Sequence, residues 1–514
     1  MGCSPAALPL RDNPPLTRRL LTLRTHHAKD PLSLENSYAR KTISNVAWLG
    51  SSQFIRQGAA IGTTIVLARM LSPSDYGIFA MTLFINELAQ LFVAFGIGSA
   101  LIQAKNVDQV QLSTCFWINM LIAGLVAGMV VACGPAAAGY FNQPMVAQLL
   151  LVSAVNLVIG AMLVIPSVVL SRALAFDQIA LASTLGSLVG AAATIALAVF
   201  GAGIWALVLQ PLIGTVINLA YLAWRARWWP SMLLHLPALR GIMRFSINLF
   251  VDSLASHITR NLQQIIVAPL AGAAAMGMLS LAMTAAWLPV AQFTGAAVRA
   301  VYPVLARLTG DTGRFDSGVF RTLALIALLA FPVLIGLAVL AKDVIPLVFG
   351  TQWKEAAPLV SMLCILGLLL SVSGIAGSAL LAQGRSGSAM WVSIAGIVIV
   401  AGCLWAVRES SIFWITVAIS ASHGLVALLT VHIVLRSIDS GWRMFLGATW
   451  RPLACALAMG ALVWFARSQA TGLSEGARVG LLVVVGAAGY LGLTVLINRS
   501  SWTDLLHIAF RKRQ

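Results

Sequence analysis

Long apolar runs, each closed by charged or turn-forming residues, follow one another along this chain of 514 residues. An α-helix needs roughly 20 apolar residues to cross the hydrocarbon core of a bilayer, and the runs have about that length. The pattern therefore predicts fourteen transmembrane helices. They span residues 44–68, 77–102, 113–139, 146–170, 178–199, 203–224, 245–269, 275–303, 320–341, 357–382, 388–407, 411–435, 448–467 and 477–497.

The polar positions inside these runs indicate that the chain contains two related halves. Residues 61–81 align with residues 261–281 without a gap, so that Gly77 falls on Gly277. Polar residues of the first and seventh helices coincide at the same offset, and steps of three and four place each set on one helix face. The two sets are Ser52, Arg56, Thr63 and Thr64, and Asp252, Ser256, Arg260, Gln263 and Gln264. Duplicated lobes are typical of transporters, whose substrate path lies between the repeats.

Composition supports the membrane interpretation. The chain is 59% hydrophobic and 10% charged, whereas about 25% of a soluble globular protein is charged. Most of the 33 Lys and Arg residues fall in alternate connecting segments, and the positive-inside rule then places both termini in the cytoplasm. These segments account for the net charge of +17, which therefore does not indicate a nucleic-acid partner.

The predicted fold is all-α, a polytopic membrane protein with two pseudo-symmetric six-helix lobes, two further helices and both termini inside. The predicted divisions are a cytoplasmic basic leader (1–43), an N-lobe (44–224), a cytoplasmic amphipathic linker (225–244), a C-lobe (245–435), a C-terminal helix pair (448–497) and a cytoplasmic basic tail (498–514). The leader lacks the apolar core and cleavage site of a signal peptide. The linker and the tail carry Trp and basic residues, which favours contact with lipids of the inner leaflet.

The six cysteines are scattered, mostly within apolar runs, and no CxxC spacing occurs. This distribution predicts neither a metal site nor a disulfide framework. No cofactor is expected, and coupling to H⁺ or Na⁺ is left open.

Charged residues within the predicted spans, apart from those close to a span end, are confined to the first two helices of each lobe. Each such charge costs roughly 2.5–3.5 kcal/mol at mid-bilayer, so the clustering predicts one shared polar cavity between the lobes. Arg56, Arg260 and Arg299 outnumber the carboxylates of Glu87 and Asp252, which favours an anionic ligand such as a pyrophosphate. The neutral polar residues placed near them are Asn86, Gln90, Ser256 and Gln292.

Structural interpretations of the same residues stay open. Arg56 with Glu87, and Arg260 with Asp252, would also neutralise each other as ion pairs between helices. Arg299 lies near the end of its span, from which its side chain would reach the membrane surface.

Three segments resemble the Wzx-type polysaccharide exporters of the multidrug/oligosaccharidyl-lipid/polysaccharide flippase superfamily. They are the opening stretch SNVAWLGSSQFIRQGAAIGTTIVLARMLSPSDYGIFAM, PSVVLSRALAFDQIA at 166–180 and AVRAVYPVLARL at 297–308. The resemblance implies two six-helix bundles around a central cavity built from helices 1, 2, 7 and 8. Many relatives carry an Asp in the seventh helix where this chain has Gln263 and Gln264, which leaves Glu87 and Asp252 as the candidates for ion coupling.

The resemblance implies a flippase of the bacterial inner membrane that translocates undecaprenyl-diphosphate-linked oligosaccharide units by alternating access. The diphosphate would bind Arg56, Arg260 and Arg299, and the sugars would bind Asn86, Gln90, Ser256 and Gln292. A polysaccharide polymerase and a chain-length regulator would be its partners in O-antigen, capsule or exopolysaccharide synthesis. No enzymatic activity is expected, because the outside loops are short and hold few acids. The alternative is a cation-coupled multidrug antiporter of the same superfamily, although its cavity should be richer in carboxylates than in Arg. A membrane polymerase or ligase is the remaining alternative.

The stretch ARMLSPSDYGIFAM at 68–81 interrupts the first two spans with Arg69, Pro73 and Asp75. Its counterpart at 268–281 keeps Ala and Gly but lacks these three residues. A ligand site would need the charges in both halves, whereas a turn needs only small residues. The stretch is therefore predicted to be an outer hairpin, with Pro73 opening the second helix and Asp75 favouring its N-terminus.

Overall fold

The computed structural model describes residues 52–94, 98, 101–102, 107–232, 240–308, 311–470 and 472–497. Fourteen long helices make up most of this part of the chain, which contains no β-strand. They are α1 (52–70), α2 (Pro73–Ala94), α3 (Gln109–Tyr140), α4 (Met145–Arg172), α5 (Phe176–Val199), α6 (Trp205–Ala226), α7 (Arg240–Ile266), α8 (Ala268–Leu308), α9 (Thr312–Phe349), α10 (Ala357–Ala382), α11 (Ser386–Val407), α12 (Ile412–Ser437), α13 (Trp442–Gln469) and α14 (Glu475–Ile497). The 3₁₀ helix Thr351–Ala356 joins α9 to α10. The predicted leader and tail lie outside the described residues.

Twelve of these helices, all except α1 and α7, are long and apolar enough to cross a membrane. Each predicted span overlaps one of the helices in chain order, so the prediction of an all-α polytopic membrane protein is confirmed. The total of fourteen crossings and the cytoplasmic location of the termini stay predictions. Helix α7 is less apolar than the others because it carries the polar residues on which the predicted cavity depends.

The helices pack as two groups that meet along α2, α7 and α8. In the group α1–α6, here called the N-lobe, α2, α3 and α4 contact one another, and α6 packs on α4 and α5. In the group α7–α12, the C-lobe, α10 contacts α8, α9, α11 and α12, while α7 packs on α11. Between the lobes, α2 packs along α8 and touches α7. The predicted boundaries 44–224 and 245–435 stay predictions.

The turn between α1 and α2 is held by its own side chains. Asp75 Oδ2 accepts hydrogen bonds from Ser72 N and Oγ at 3.0 and 2.7 Å, and Asp75 N donates to Ser72 Oγ at 3.2 Å. This reciprocal pairing satisfies donors that the first turn of a helix leaves open. Pro73, which has no N–H, is the first residue of α2. The predicted hairpin is present, and the capping explains why α2 begins before the predicted residue 77.

The end of the bundle that contains this turn is here called the hairpin end. There, Arg69 of the N-lobe donates to the carbonyl oxygens of Leu347 and Val348, the latter at 2.9 Å. These two oxygens lie in the last turn of α9, where a helix lacks partners of its own and attracts positive charge. Tyr140, at the end of α3, donates to the carbonyl oxygen of Ile265 in α7 at 2.6 Å. Both contacts join the lobes.

The 3₁₀ helix that follows α9 also joins the lobes, because its side chains bind main-chain oxygens of the N-lobe. Trp353 is fully buried, and its Nε1 donates to Ala68 O at 2.7 Å. Gln352 Nε2 donates to the carbonyl oxygens of Ala68 and Leu71, the latter at 2.9 Å. The Trp353 ring also meets Tyr76 of α2 edge to face, with the ring centroids 5.1 Å apart. The lobes are therefore tightly joined at the hairpin end.

Helices α2 and α8 cross in backbone contact at two glycines. A Cβ atom added to Gly77 would lie 1.8 Å from the carbonyl oxygen of Ala273, and one added to Gly277 would lie 1.8 Å from that of Pro73. The two contacts are reciprocal, because Pro73 and Ala273 are separated along the chain by the same distance as Gly77 and Gly277. In a two-fold symmetric interface, residue i contacts j on one side and the equivalent of j contacts the equivalent of i on the other, as these two pairs do. The offset that aligned the two halves of the sequence thus relates atoms that touch in the fold.

Residues 227–232 of the predicted linker follow α6 without regular secondary structure and dock on α3, whereas residues 240–244 belong to α7. Trp228 is buried, and its Nε1 donates to Gln109 Oε1 at 2.7 Å, while Gln109 Nε2 donates to the carbonyl oxygen of Trp229 at 2.8 Å. Trp229 itself is 79% exposed. The end of the bundle that holds this segment is here called the linker end.

The last two helices pack on α9, away from the junction between the lobes. Asp343 of α9 is buried and pairs with Arg467 Nε of α13 and with Arg478 Nη2 of α14, each at 2.6 Å. One carboxylate therefore holds both helices against the C-lobe.

Candidate functional site

A polar pocket lies where α2 of the N-lobe meets α7 and α8 of the C-lobe. Its volume is about 150 Å³, which is enough for several water molecules. The residues that line it are Ala80, Leu83, Phe84 and Glu87 from α2, Asn261, Gln263 and Gln264 from α7, and Leu279, Ser280, Met283 and Thr284 from α8. The predicted location between the lobes thus holds a polar pocket built from helices 2, 7 and 8.

Helical spacing explains why these side chains meet. On α2, Ala80, Phe84 and Glu87 recur at steps of four and three, which places them on one face. Asn261 and Gln264 are three residues apart on α7 and share a face in the same way. The glycine crossing of α2 with α8 brings these faces close together nearer the hairpin end.

Glu87 and His257 form a contact across the lobe junction. His257 Nδ1 lies 3.6 Å from Glu87 Oε2, with the His257 side chain 5% exposed and that of Glu87 47% exposed. The His257 ring stacks on Phe84, with centroids 5.7 Å apart and planes 2° from parallel. Asn261 Nδ2 donates to His257 O at 3.1 Å and approaches Nδ1 at 3.4 Å. The imidazole is therefore fixed in orientation beside a carboxylate that remains accessible.

Arg260 is exposed on α7, next to this pair. Its guanidinium is close enough to interact electrostatically with Glu87 and with His257. The pocket thus has a cationic group at its margin and a carboxylate in its wall. An anionic ligand group would bind at the margin rather than inside, where it would face Glu87.

The hydrogen bonds of the pocket leave acceptors without donors. Gln263 Nε2 donates to Arg260 O at 2.9 Å and contacts Met283 Sδ at 3.7 Å, so that its amide nitrogen is engaged. Among the described residues, the Oε1 atoms of Gln263 and Gln264 are buried and have no partner. The same holds, within the described ranges, for Asn86 Oδ1 and His257 Nε2. Unsatisfied buried polar atoms are rare in folded proteins and need an explanation.

Of the residues predicted to form the site, Glu87 lines the pocket. Asn86 is buried beside it on α2, and Gln90 is exposed one turn further along. Gln292 is half-buried on α8. The side chains of Asp252 and Arg299 lie outside what the structure describes.

Two predicted residues make other contacts. Arg56 is half-buried and donates to Gln53 of its own helix, so it does not form the considered ion pair with Glu87. Ser256 lies 3.4 Å from Ser393 Oγ, at the junction of α7 with α11 inside the C-lobe. Their assignment to substrate binding stays a prediction.

Sequence reasoning did not assign Asn261, Gln263, Gln264 and Thr284 to a site. The signal was present on α7, because Asn261 and Gln264 continue the face of His257 at steps of four and three. Gln263 and Gln264 were noted as part of the polar face of the seventh helix and as a departure from an acidic pattern, but not as members of the site. Within the described chain, no group of three His, Cys, Asp or Glu side chains is arranged to hold a metal.

Comparison with known proteins identifies polysaccharide biosynthesis proteins as relatives of this chain. A family model described as polysaccharide biosynthesis protein matches residues 66–358. The lipopolysaccharide biosynthesis protein WzxC of Escherichia coli (strain K12) is 28% identical over 68% of this chain and 71% of its own length. The teichuronic acid biosynthesis protein TuaB of Bacillus subtilis (strain 168) is 24% identical over 91% of this chain and 98% of its own length.

Among solved structures, the fold is similar to that of the lipid II flippase MurJ in an inward closed conformation. The TM-score is 0.73 at 14% sequence identity, covering 89% of this chain and 99% of that one. At this identity the likeness shows the fold alone. The all-α fold with helices in two lobes agrees with the sequence prediction.

Proposed function

Because this chain belongs to the polysaccharide biosynthesis protein family, whose model matches more than half of its length, we propose that it flips lipid-linked oligosaccharides across the bacterial inner membrane. It is a transporter and not an enzyme, as its family and fold indicate. The observation that carries the proposal is the polar pocket between the two lobes, at the position where transporters built from repeats bind their substrates.

The substrate is an undecaprenyl-diphosphate-linked repeat unit, with its lipid tail in the bilayer. Arg260 binds the diphosphate at the margin of the pocket, where a guanidinium makes paired hydrogen bonds to phosphate oxygens. Arg56 and Arg299 are further candidates for the same anion. The sugars enter the polar region beside Asn86, Gln90, Ser256 and Gln292.

Transport requires the lobes to separate. A pocket of about 150 Å³ lies below the roughly 300–1,000 Å³ of sites for drug-sized ligands, and an oligosaccharide is larger still. The contacts of Arg69, Gln352 and Trp353 hold the hairpin end closed. We assign this arrangement to a state closed towards the outside, from which the lobes rock to admit the substrate at the linker end and release it at the hairpin end.

Glu87 is the candidate for ion coupling. It is the carboxylate of the pocket wall, and it contacts His257 across the lobe junction. A proton or Na⁺ bound there would change the attraction between the lobes, which is the differential interaction that a coupled cycle needs. Asp252 stays a second candidate.

Deletion of the gene in its native host tests the proposal. Lipid-linked repeat units should accumulate on the cytoplasmic leaflet, and the polymer should disappear from the cell surface. Accumulation on the outer leaflet would instead indicate a polymerase or ligase. Unchanged polymer together with increased drug sensitivity would indicate a multidrug antiporter. A polymerase and a chain-length regulator are the expected partners downstream of the flippase.

A further inference from the structure

Three of the polar side chains that line the interlobe pocket use their donors within the protein. Asn261 Nδ2 and Gln263 Nε2 both donate to main-chain oxygens of α7, at 3.1 and 2.9 Å. The Thr284 hydroxyl donates to Ser280 O at 2.9 Å, which leaves its lone pairs as acceptors. The donors of these three side chains are thus directed into the protein and away from the pocket.

The acceptors of the pocket remain open. Gln263 and Gln264 are 2% and 6% exposed, both line the pocket, and within the described chain their Oε1 atoms have no hydrogen-bond partner. The oxygen of Gln263 is identified by its amide nitrogen, which must be the atom that donates to Arg260 O. Glu87 adds a carboxylate to the same wall. A buried carbonyl without a donor is unfavourable, and a ligand that supplies an O–H or N–H removes this cost.

From this pattern we infer that the pocket binds one uncharged sugar residue of the transported repeat unit, with Gln263 and Gln264 as acceptors for its hydroxyl or acetamido donors. Phosphate and carboxylate groups offer acceptors only, so they do not match these oxygens and are repelled by Glu87. The diphosphate binds instead to Arg260, which lies one helical turn from Gln263 and Gln264. The inference rests on the proposed function in its choice of a sugar as the ligand.

The pocket volume agrees with a single residue. About 150 Å³ is space for a few water molecules, so a sugar ring enters only by displacing them and the rest of the repeat unit must lie outside. Gln263 and Gln264 would therefore determine which sugar at that position is accepted. The competing ligand is a Na⁺ ion, because amide and carboxylate oxygens also coordinate hard cations.

Binding of simple glycosides to the full-length protein in lipid nanodiscs tests the inference. The probes are methyl glycosides of glucose, galactose, mannose and N-acetylglucosamine, together with fully methylated counterparts in which every hydroxyl and the acetamido N–H are blocked. Their binding is measured by saturation-transfer difference NMR. At least one free glycoside should bind, and its fully methylated form, which keeps the acceptors but lacks O–H and N–H donors, should not. Equal signals from both forms, or none from any free glycoside, would overturn the assignment.

Variants locate the binding. Gln263→Leu and Gln264→Leu should each weaken the glycoside about tenfold, as expected for loss of one hydrogen bond to a buried acceptor. Gln264→Glu keeps an acceptor and should retain binding, whereas the exposed Gln469→Leu is the matched control. Melting temperature and gel filtration establish folding. A melting temperature raised by NaCl over choline chloride, abolished in both Leu variants and without any glycoside signal, would make the pocket a cation site instead.

Transport in reconstituted vesicles separates this inference from the proposed function. With lipid-linked repeat units extracted from the deletion strain, Gln264→Leu should raise the half-saturating concentration about tenfold. If the wild type transports and the variant matches it, the sugar assignment is wrong while the flippase stands. If the wild type does not transport, the proposed function fails, and the glycoside measurements still decide what the pocket binds.

Discussion

Two groups of Arg260, its main-chain oxygen and its guanidinium, contribute to the site in different ways. Its main-chain oxygen orients the Gln263 amide inside the pocket, and its exposed guanidinium lies within electrostatic range of Glu87. Only the guanidinium depends on residue type. Substitutions at this position therefore test the charge without removing the contact that arranges the pocket.

Arg260→Ala should reduce export of the polymer by more than tenfold, because a charge-assisted pair of hydrogen bonds to the diphosphate is lost. Arg260→Lys should retain partial export, since it keeps the charge but not the planar fork. The measurement is surface polymer at equal amounts of membrane-inserted protein, with Arg408→Ala, a half-buried arginine at the end of α11, as control. Wild-type polymer in Arg260→Ala would remove the guanidinium from substrate binding.

Glu87→Gln should abolish the dependence of transport on the proton or sodium gradient, because the amide keeps the shape of the side chain but cannot change charge. Transport in vesicles with and without each gradient measures this. Glu409→Gln, an exposed acid paired with Arg408, is the matched control. A gradient dependence that persists in Glu87→Gln would transfer the coupling role to Asp252.

At the scale of the elements, the α2–α8 crossing sets the geometry of the lobe junction. Main-chain carbonyl oxygens lie 1.8 Å from the positions that Cβ atoms at Gly77 and Gly277 would take. Because these are main-chain atoms, no side-chain rotation can relieve the clash. Small residues at helix crossings in membranes allow backbones to approach in this way. The pocket begins one turn beyond Gly77, at Ala80. Its width therefore depends on this approach.

Gly77→Ala should force the two helices apart, lower the melting temperature and reduce export, and Gly277→Ala should do the same. Overpacking of this kind costs about 1–3 kcal/mol. Gly62→Ala on α1 is the matched control, because nothing lies within 4 Å of its added Cβ. Equal melting temperatures for Gly77→Ala and Gly62→Ala would contradict the close contact.

The positions of the helices along the chain could be predicted from the sequence, whereas the rotation of each helix about its own axis could not. Apolar runs predicted each helix, but α9 extends from Thr312 to Phe349, beyond the predicted 320–341, because a helix continues past its lipid-facing segment. Glu87 was identified because a charge inside a span needs a partner. The ion pair of Arg56 with Glu87 that the sequence left open does not form, because Arg56 donates to Gln53 of its own helix. The packing of the whole bundle decides which side of α1 faces α2. The pattern of polar residues along one helix does not determine this rotation.

The whole molecule is two lobes joined by a symmetric contact, with a helix pair attached at one side. The attachment depends on Asp343, whose side chain is 4% exposed between Arg467 and Arg478. A buried carboxylate with two arginine partners is strongly coupled to both. The helices α13 and α14 thus move with α9 and with the C-lobe.

Asp343→Asn should destabilise the attachment by about 3 kcal/mol, since it leaves two partly buried arginines without a counter-charge. The melting temperature of the purified protein measures this. Replacement of all three residues by apolar ones, Asp343→Leu with Arg467→Met and Arg478→Met, should recover most of the loss. A triple variant no more stable than Asp343→Asn would show that the charges themselves hold the helices.

The joint at the hairpin end has a consequence for how the protein evolves. Its donors are side chains, whereas every acceptor described above is a main-chain oxygen of the other lobe, as at Leu347, Val348 and Ile265. A main-chain oxygen is present whatever residue occupies the position. Compensating pairs of substitutions across this joint should therefore be rare. The acceptor is a main-chain oxygen, so a change of side chain at its position neither removes nor restores the hydrogen bond. A saturation mutagenesis scan should find positions 347 and 348 tolerant and Arg69 intolerant, although their atoms share the same hydrogen bonds.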